Sequence, residues 1–205
     1  TTPSPEIRKV GRNKMKQMTY KKQIQLIAAT VTLIVFPVIT FYLMEAYTHN
    51  PFEEVRPWAQ FFNILLFELL AWIFVSVTGK IQSGLRIELV TAMIYGIANA
   101  YVVRFRTNPI VPWDIFSWKT AASVASNYDF KPDIRMIVVT LAFLGMIVLL
   151  QFVKTGMPKF QLWKRLIPAG ACCIVLVLFV NLLQDEDFQT GHRLYPFLFT
   201  PAFMT

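Results

Sequence analysis

Five long apolar runs divide the chain, separated by shorter polar stretches. They are Gln23–Ala46, Trp58–Val77, Leu85–Val103, Met136–Val153 and Leu166–Leu183. A bilayer core is about 30 Å thick, so a helix needs ~20 apolar residues to cross it. All five meet or approach that length; the third is the least apolar and the last two are the shortest. The pattern predicts an all-α membrane protein with five transmembrane helices. The first run is too long for a signal-peptide core and has no clear small-residue cleavage site. It reads as an uncleaved signal anchor. The organisation expected is a basic tail over 1–22, a five-helix membrane domain over 23–183 and a linker over 184–205.

Most connections are short, but 104–135 is long enough to suggest a functional loop. Pro109 and Pro112 give it an extended entry. Residues Trp113–Ser126 then read as a helix. Ile115, Trp118, Ala121, Ala122 and Ala125 fall on one stripe at helical spacing, while Ser117, Lys119, Thr120, Ser123 and Ser126 lie mostly opposite. Phe116 and Val124 interrupt the pattern. Asp114 suits the first turn, where the helix end is positive. This weakly amphipathic helix fits either a membrane interface or the outer ends of the bundle.

The third run carries two patterns. Ala92, Gly96 and Ala100 form a small-xxx-small series that lets neighbouring helices approach closely. Glu88, Tyr95, Asn99 and Arg106 recur on another face. At about 100° per residue they return to within about 20° of one direction. One side of this helix is therefore polar from mouth to rim. The second run places Glu68 near its middle. A carboxyl at that depth is costly and should face the bundle or water, with Tyr95 and Asn99 as the expected partners. It is either a structural acid hydrogen-bonded between helices or part of a polar cavity. Glu45 is expected at the rim.

Composition strengthens the membrane reading. Only 16% of residues are charged and 55% are hydrophobic, with a mean hydropathy of +0.48, against about 25% charged in soluble domains. The net charge of +8 would suit nucleic acid, but its distribution points elsewhere. Arg8, Lys9, Arg12, Lys14, Lys16, Lys21, Lys22, Lys80, Arg86, Lys154, Lys159, Lys164 and Arg165 all fall on one side of the five-span topology. The other side holds Arg56, Arg104, Arg106, Lys119, Lys131, Arg135 and Arg193. It also holds the acids Glu53, Glu54, Asp114, Asp129, Asp133, Asp185, Glu186 and Asp187. The positive-inside rule puts the N-terminus in the cytoplasm and the C-terminus outside. No aromatic platform accompanies the basic tail, so nucleic acid is not expected as a partner.

Catalytic signatures are missing. His49 and His192 are the two histidines, and no H-x-x-x-H or C-x-x-C spacing occurs. No phosphate-binding glycine loop or nucleophile elbow is present. Asp185–Glu186–Asp187 reads as a solvated acidic face. Cys172 and Cys173 are adjacent on one helix, where a bridge between them would be strained. No catalytic residue, metal site or cofactor is expected in this chain.

The outer loop offers the candidate chemistry. Arg104 and Arg106 end the third span, and arginine's planar fork suits phosphate oxygens. With Asn108, Trp113, Asp114 and Lys119 they make a candidate clamp for a phospholipid headgroup. The alternative is snorkelling arginines and a proline-shaped turn.

The run FRTNPIVPWDIFSWKTAASVASNYDF resembles the corresponding loop of the lipoteichoic acid synthase family. These are sulfatase-like membrane phosphoglycerol transferases of Gram-positive bacteria. Arg106, Pro109, Pro112 and Asp114 take the first part of the family pattern. Ala121, Val124, Ala125, Asn127, Tyr128 and Phe130 take the second. The five-span topology is similar too. The resemblance implies a cell-membrane protein of cell wall biogenesis with phosphatidylglycerol, an anionic phospholipid, as lipid partner. It also implies an extracellular catalytic domain with a threonine nucleophile and a divalent metal, usually manganese. That domain lies beyond this sequence, and none of the threonines here is assigned the role. The sequence starts at Thr1 and not at Met, which leaves open whether it is trimmed or a fragment. The readings kept open are a lipid-positioning membrane domain, a structural anchor or module binding other membrane proteins, and a small transporter or flippase.

Overall fold

The structure, a computed structural model, describes residues 5–106, 110, 114, 131–153 and 162–183. Six helices occur among them: α1 (Pro5–Glu45), α2 (Pro51–Glu54), α3 (Pro57–Thr78), α4 (Ile81–Arg106), α5 (Ile134–Leu149) and α6 (Leu162–Leu183). Three contain stretches long and apolar enough to cross a membrane: Tyr20–Glu45, Pro57–Thr78 and Ile81–Phe105. Two shorter apolar stretches are Ile134–Leu149 and Arg165–Phe179. The fold is all-helical, and its three candidate spans suggest a multi-pass membrane protein.

The helix boundaries follow local chemistry. Asp133 caps α5, its Oδ1 accepting the Met136 N–H at 2.8 Å, so this helix starts before the apolar run does. It ends early: Gln151 and Phe152 donate to Val148 and Leu149, three residues back. Its 16 residues span about 24 Å. Proline opens α2 and α3, where a missing N–H costs nothing. Gly79 closes α3 in the left-handed region at φ 68° and donates to the Val75 carbonyl. The Arg165 guanidinium lies directly against Gly79, leaving no room for a side chain. The α1 helix differs most from expectation. Its 41 residues reach about 61 Å, because the basic segment read as a tail continues the helix from Pro5.

α1, α3 and α4 pack against one another; α5 lies against α4 and α1, and α6 chiefly against α3. The main core gathers Phe41, Phe67, Val75, Leu85, Leu89 and Phe143. Phe62, Leu66 and Phe179 join α3 to α6. Many large apolar side chains face outward, among them Leu26, Ile94, Leu141 and Leu178. Cys172 and Cys173 are unbridged, half-buried and exposed respectively.

Candidate functional site at the upper end of the bundle

The end of the bundle holding the α1–α3 connection is here called upper, and the Gly79 end lower. The C-terminus of α1, the N-termini of α3 and α5 and the last turns of α4 meet at the upper end. Ile110 returns onto α4 there. Its N–H donates to Asn99 Oδ1 at 2.9 Å, and its carbonyl accepts from Tyr95 Oη at 3.4 Å. Two residues of the expected polar face thus satisfy both backbone groups of one returning residue. Tyr95 also lies within electrostatic reach of Glu45 and Asp114, and Asp114 is half-buried.

Arg104 bridges to the N-terminus of α5. Nη1 donates to the Lys131 carbonyl at 3.0 Å and Nη2 to Asp133 Oδ2 at 2.6 Å. Asp133 therefore caps α5 with one oxygen and holds Arg104 with the other. Arg135 donates to the Thr48 carbonyl at 3.1 Å, tying α5 to the turn after α1. In the α1–α3 connection, Tyr42 Oη donates to Gln60 Oε1 at 2.8 Å. The Gln60 amide donates in turn to the carbonyls of Pro51 and Val55.

Beneath this rim lies an acid–base pair that sequence reasoning missed. Glu45 is only 3% exposed and His49 5%, so Glu45 is buried and not the rim residue expected. Its Oε2 lies 3.0 Å from His49 Nε2, an ion-pair distance without hydrogen-bond alignment. His49 Nδ1 pairs with Thr48 Oγ1 at 2.7 Å. The signal was present in the sequence as Glu and His four residues apart, which share a helix face. Tyr47 was missed as well. Its hydroxyl lies 2.9 Å from Thr140 Oγ1, and its ring stacks on Phe143. Burial pushes its phenol above the ordinary tyrosine range, and the Thr140 hydrogen bond offsets part of this.

The structure groups the other sequence candidates as follows. Tyr95, Asn99 and Arg104 gather at the upper end, with Asp114 beside them. Glu68, half-buried on α3, and Glu88, buried on α4, lie lower. The two acids are near enough for their charges to interact. Glu68 thus has Glu88 as a neighbour, while Tyr95 and Asn99, its expected partners, hold Ile110. The side chain of Arg106, all of Asn108, Trp113 and Lys119, the proposed helix over 113–126 apart from Asp114, and the 184–205 linker lie outside the described residues. Among the described residues no three His, Cys, Asp or Glu side chains gather as metal ligands.

Comparison with protein-family models, curated proteins and solved structures finds no match.

Proposed function

We propose that this chain is the membrane domain of a lipoteichoic acid synthase-like phosphoglycerol transferase. On this reading five helices span the cell membrane, with the N-terminus inside and the upper end at the outer leaflet. The domain anchors an extracellular catalytic domain and helps to position phosphatidylglycerol or the growing polymer. The observation that carries the reading is the run Phe105–Phe130, with its Arg106, Pro109, Pro112 and Asp114 spacing. The strapping of Ile110 onto Tyr95 and Asn99 supports it, because it holds that one residue of the run against α4. Arg106 then offers its fork to the phosphate, beside Asn108, Trp113, Asp114 and Lys119. Metal-assisted phosphoglycerol transfer is the task of the catalytic domain; this chain's residues bind and orient lipid.

A structural anchor is the second reading, and Arg104 favours it. Both of its terminal nitrogens are engaged by Asp133 and the Lys131 carbonyl, which makes it a brace for α5.

The test compares binding of anionic phosphatidylglycerol and zwitterionic phosphatidylcholine to the chain in nanodiscs. Arg106→Ala is expected to weaken the anionic lipid more, since the headgroup's net charge is felt along with its phosphate. Equal weakening of both lipids would refute the clamp. Reading the parent gene beyond the Thr205 codon tests the enzyme half of the proposal. A sulfatase-like domain is expected there, and a stop codon would refute it.

A further inference from the structure

Among the described residues, Glu88 is a buried acid without a basic partner. It is 2% exposed and sits on α4 between the core residues Leu85 and Leu89. Among the described residues neither of its carboxyl oxygens has a hydrogen-bond partner. A buried charge with neither hydrogen bonds nor a counter-ion is among the costliest groups a fold can hold.

The helices around it supply no base at that depth. α1 has no ionisable side chain between Lys22 and Tyr42, and α5 has none after Arg135, which lies at the upper end. Beyond Arg165, which lies against Gly79 at the lower end, α6 carries only Cys172 and Cys173 as titratable groups. Arg86 is two residues from Glu88 on the same helix, a spacing at which side chains do not face each other. What α3 brings is a second acid. Glu68 is ten residues above Thr78, and Glu88 seven above Ile81, in the antiparallel partner. At 1.5 Å per residue their heights differ by about 4–5 Å.

We propose that Glu88 and Glu68 form an intramembrane site for one small monovalent cation, a proton or an alkali-metal ion, held between α3 and α4. Either ion supplies the positive charge that no side chain provides. The site is separate from the upper-end lipid site and does not depend on it.

The test uses the whole chain in lipid nanodiscs. Infrared difference spectra between the wild type and Glu88→Gln report a protonated carboxyl directly. Equilibrium dialysis against labelled sodium or potassium reports a bound metal ion. A carboxylic-acid band lost in Glu88→Gln identifies the proton. A single bound sodium or potassium per chain, lost in Glu88→Gln, identifies the metal ion. Absence of both in the folded wild type would overturn the site. Glu68→Gln is the second variant, useful even if Glu88→Gln folds poorly. It is expected to shift the pH at which the band disappears, or to weaken the metal ion's binding. The control Glu53→Gln, an exposed change, leaves both in place. A Glu68→Gln protein identical to the wild type in both readouts would overturn the shared site.

Discussion

Gly96 is the position where one added methyl group should have the largest readable effect. A Cβ there would lie 2.5 Å from Tyr47 Cδ2, 2.9 Å from Cε2 and 3.5 Å from Met44 Cγ. Carbon atoms settle at about 3.5–4.0 Å, so the Tyr47 ring would have to withdraw by about 1 Å. It has little freedom to do so. The ring stacks on Phe143 with centroids 5.9 Å apart, and its hydroxyl is 2.9 Å from Thr140 Oγ1. Overpacking of this kind costs about 1–3 kcal/mol, and losing the hydroxyl bond adds about 0.5–1.5 kcal/mol. Replacing a helix-interior glycine by alanine returns about 0.5–1 kcal/mol, so Gly96→Ala should destabilise the bundle by about 1–4 kcal/mol. Denaturation in detergent, followed by helical circular dichroism, measures it. Gly96→Ala should cost less in a Tyr47→Ala background than in the wild type, because the atoms that collide are gone. A cost for Gly96→Ala within about 0.5 kcal/mol, the usual range of a surface change, would refute the close approach of α1 and α4. So would strict additivity of the two substitutions.

The other predictions concern the polar contacts at the upper end. Asp133→Ala should cost about 1 kcal/mol through the lost cap. Asp133→Asn should retain most of that stability in the same unfolding assay, since an amide oxygen still caps and the exposed Arg104 pair contributes little. His49→Ala should cost about 3–5 kcal/mol by leaving Glu45 buried without its partner. Adding Glu45→Gln should recover much of the loss, and a double variant no more stable than His49→Ala would contradict the pairing. Because burial raises the Tyr47 phenol above its ordinary value of 10.0, the folded state retains that proton longer than the unfolded chain. Its contribution is complete below pH 10 and is lost as pH rises through the folded value. Tyr47→Phe should remove this alkaline slope, as read from denaturation midpoints across that pH range.

The parts of the fold legible in the sequence are those set by period and length. Pro57–Thr78 matches its apolar run within a residue at each end, because Pro57 and Gly79 mark both boundaries. The α4 helix has the expected small-residue series, with Ala92 in the core and Gly96 against Tyr47. Local propensity extends elements that hydropathy cuts short. The basic segment before Gln23 is polar but helix-compatible, so α1 continues through it. The opposite happens at α5, where apolar residues continue past Leu149 but the helix does not. The Glu45–His49 pair escaped notice because its burial depends on tertiary packing. A glutamate at the end of an apolar run reads as a rim group until neighbouring helices are seen to enclose it.

The polar face of α4 was legible as a stripe, but not as two separate places. Tyr95 and Asn99 hydrogen-bond the backbone of Ile110, so the upper half of the stripe holds a residue beyond the end of α4. Glu88 lies seven residues below Tyr95, about 10 Å along the axis, and among the described residues its carboxyl has no hydrogen-bond partner. Glu88 and Tyr95 share a helix direction but differ in their hydrogen bonding, since Tyr95 donates to Ile110 and Glu88 has no partner among the described residues. The distinction matters for testing. A substitution at Asn99 should disturb lipid binding through the loop and leave any bound cation in place. A substitution at Glu88 should do the reverse. If both readouts moved together in either variant, α4 would be carrying one continuous polar path, and the transporter reading would gain over the anchor.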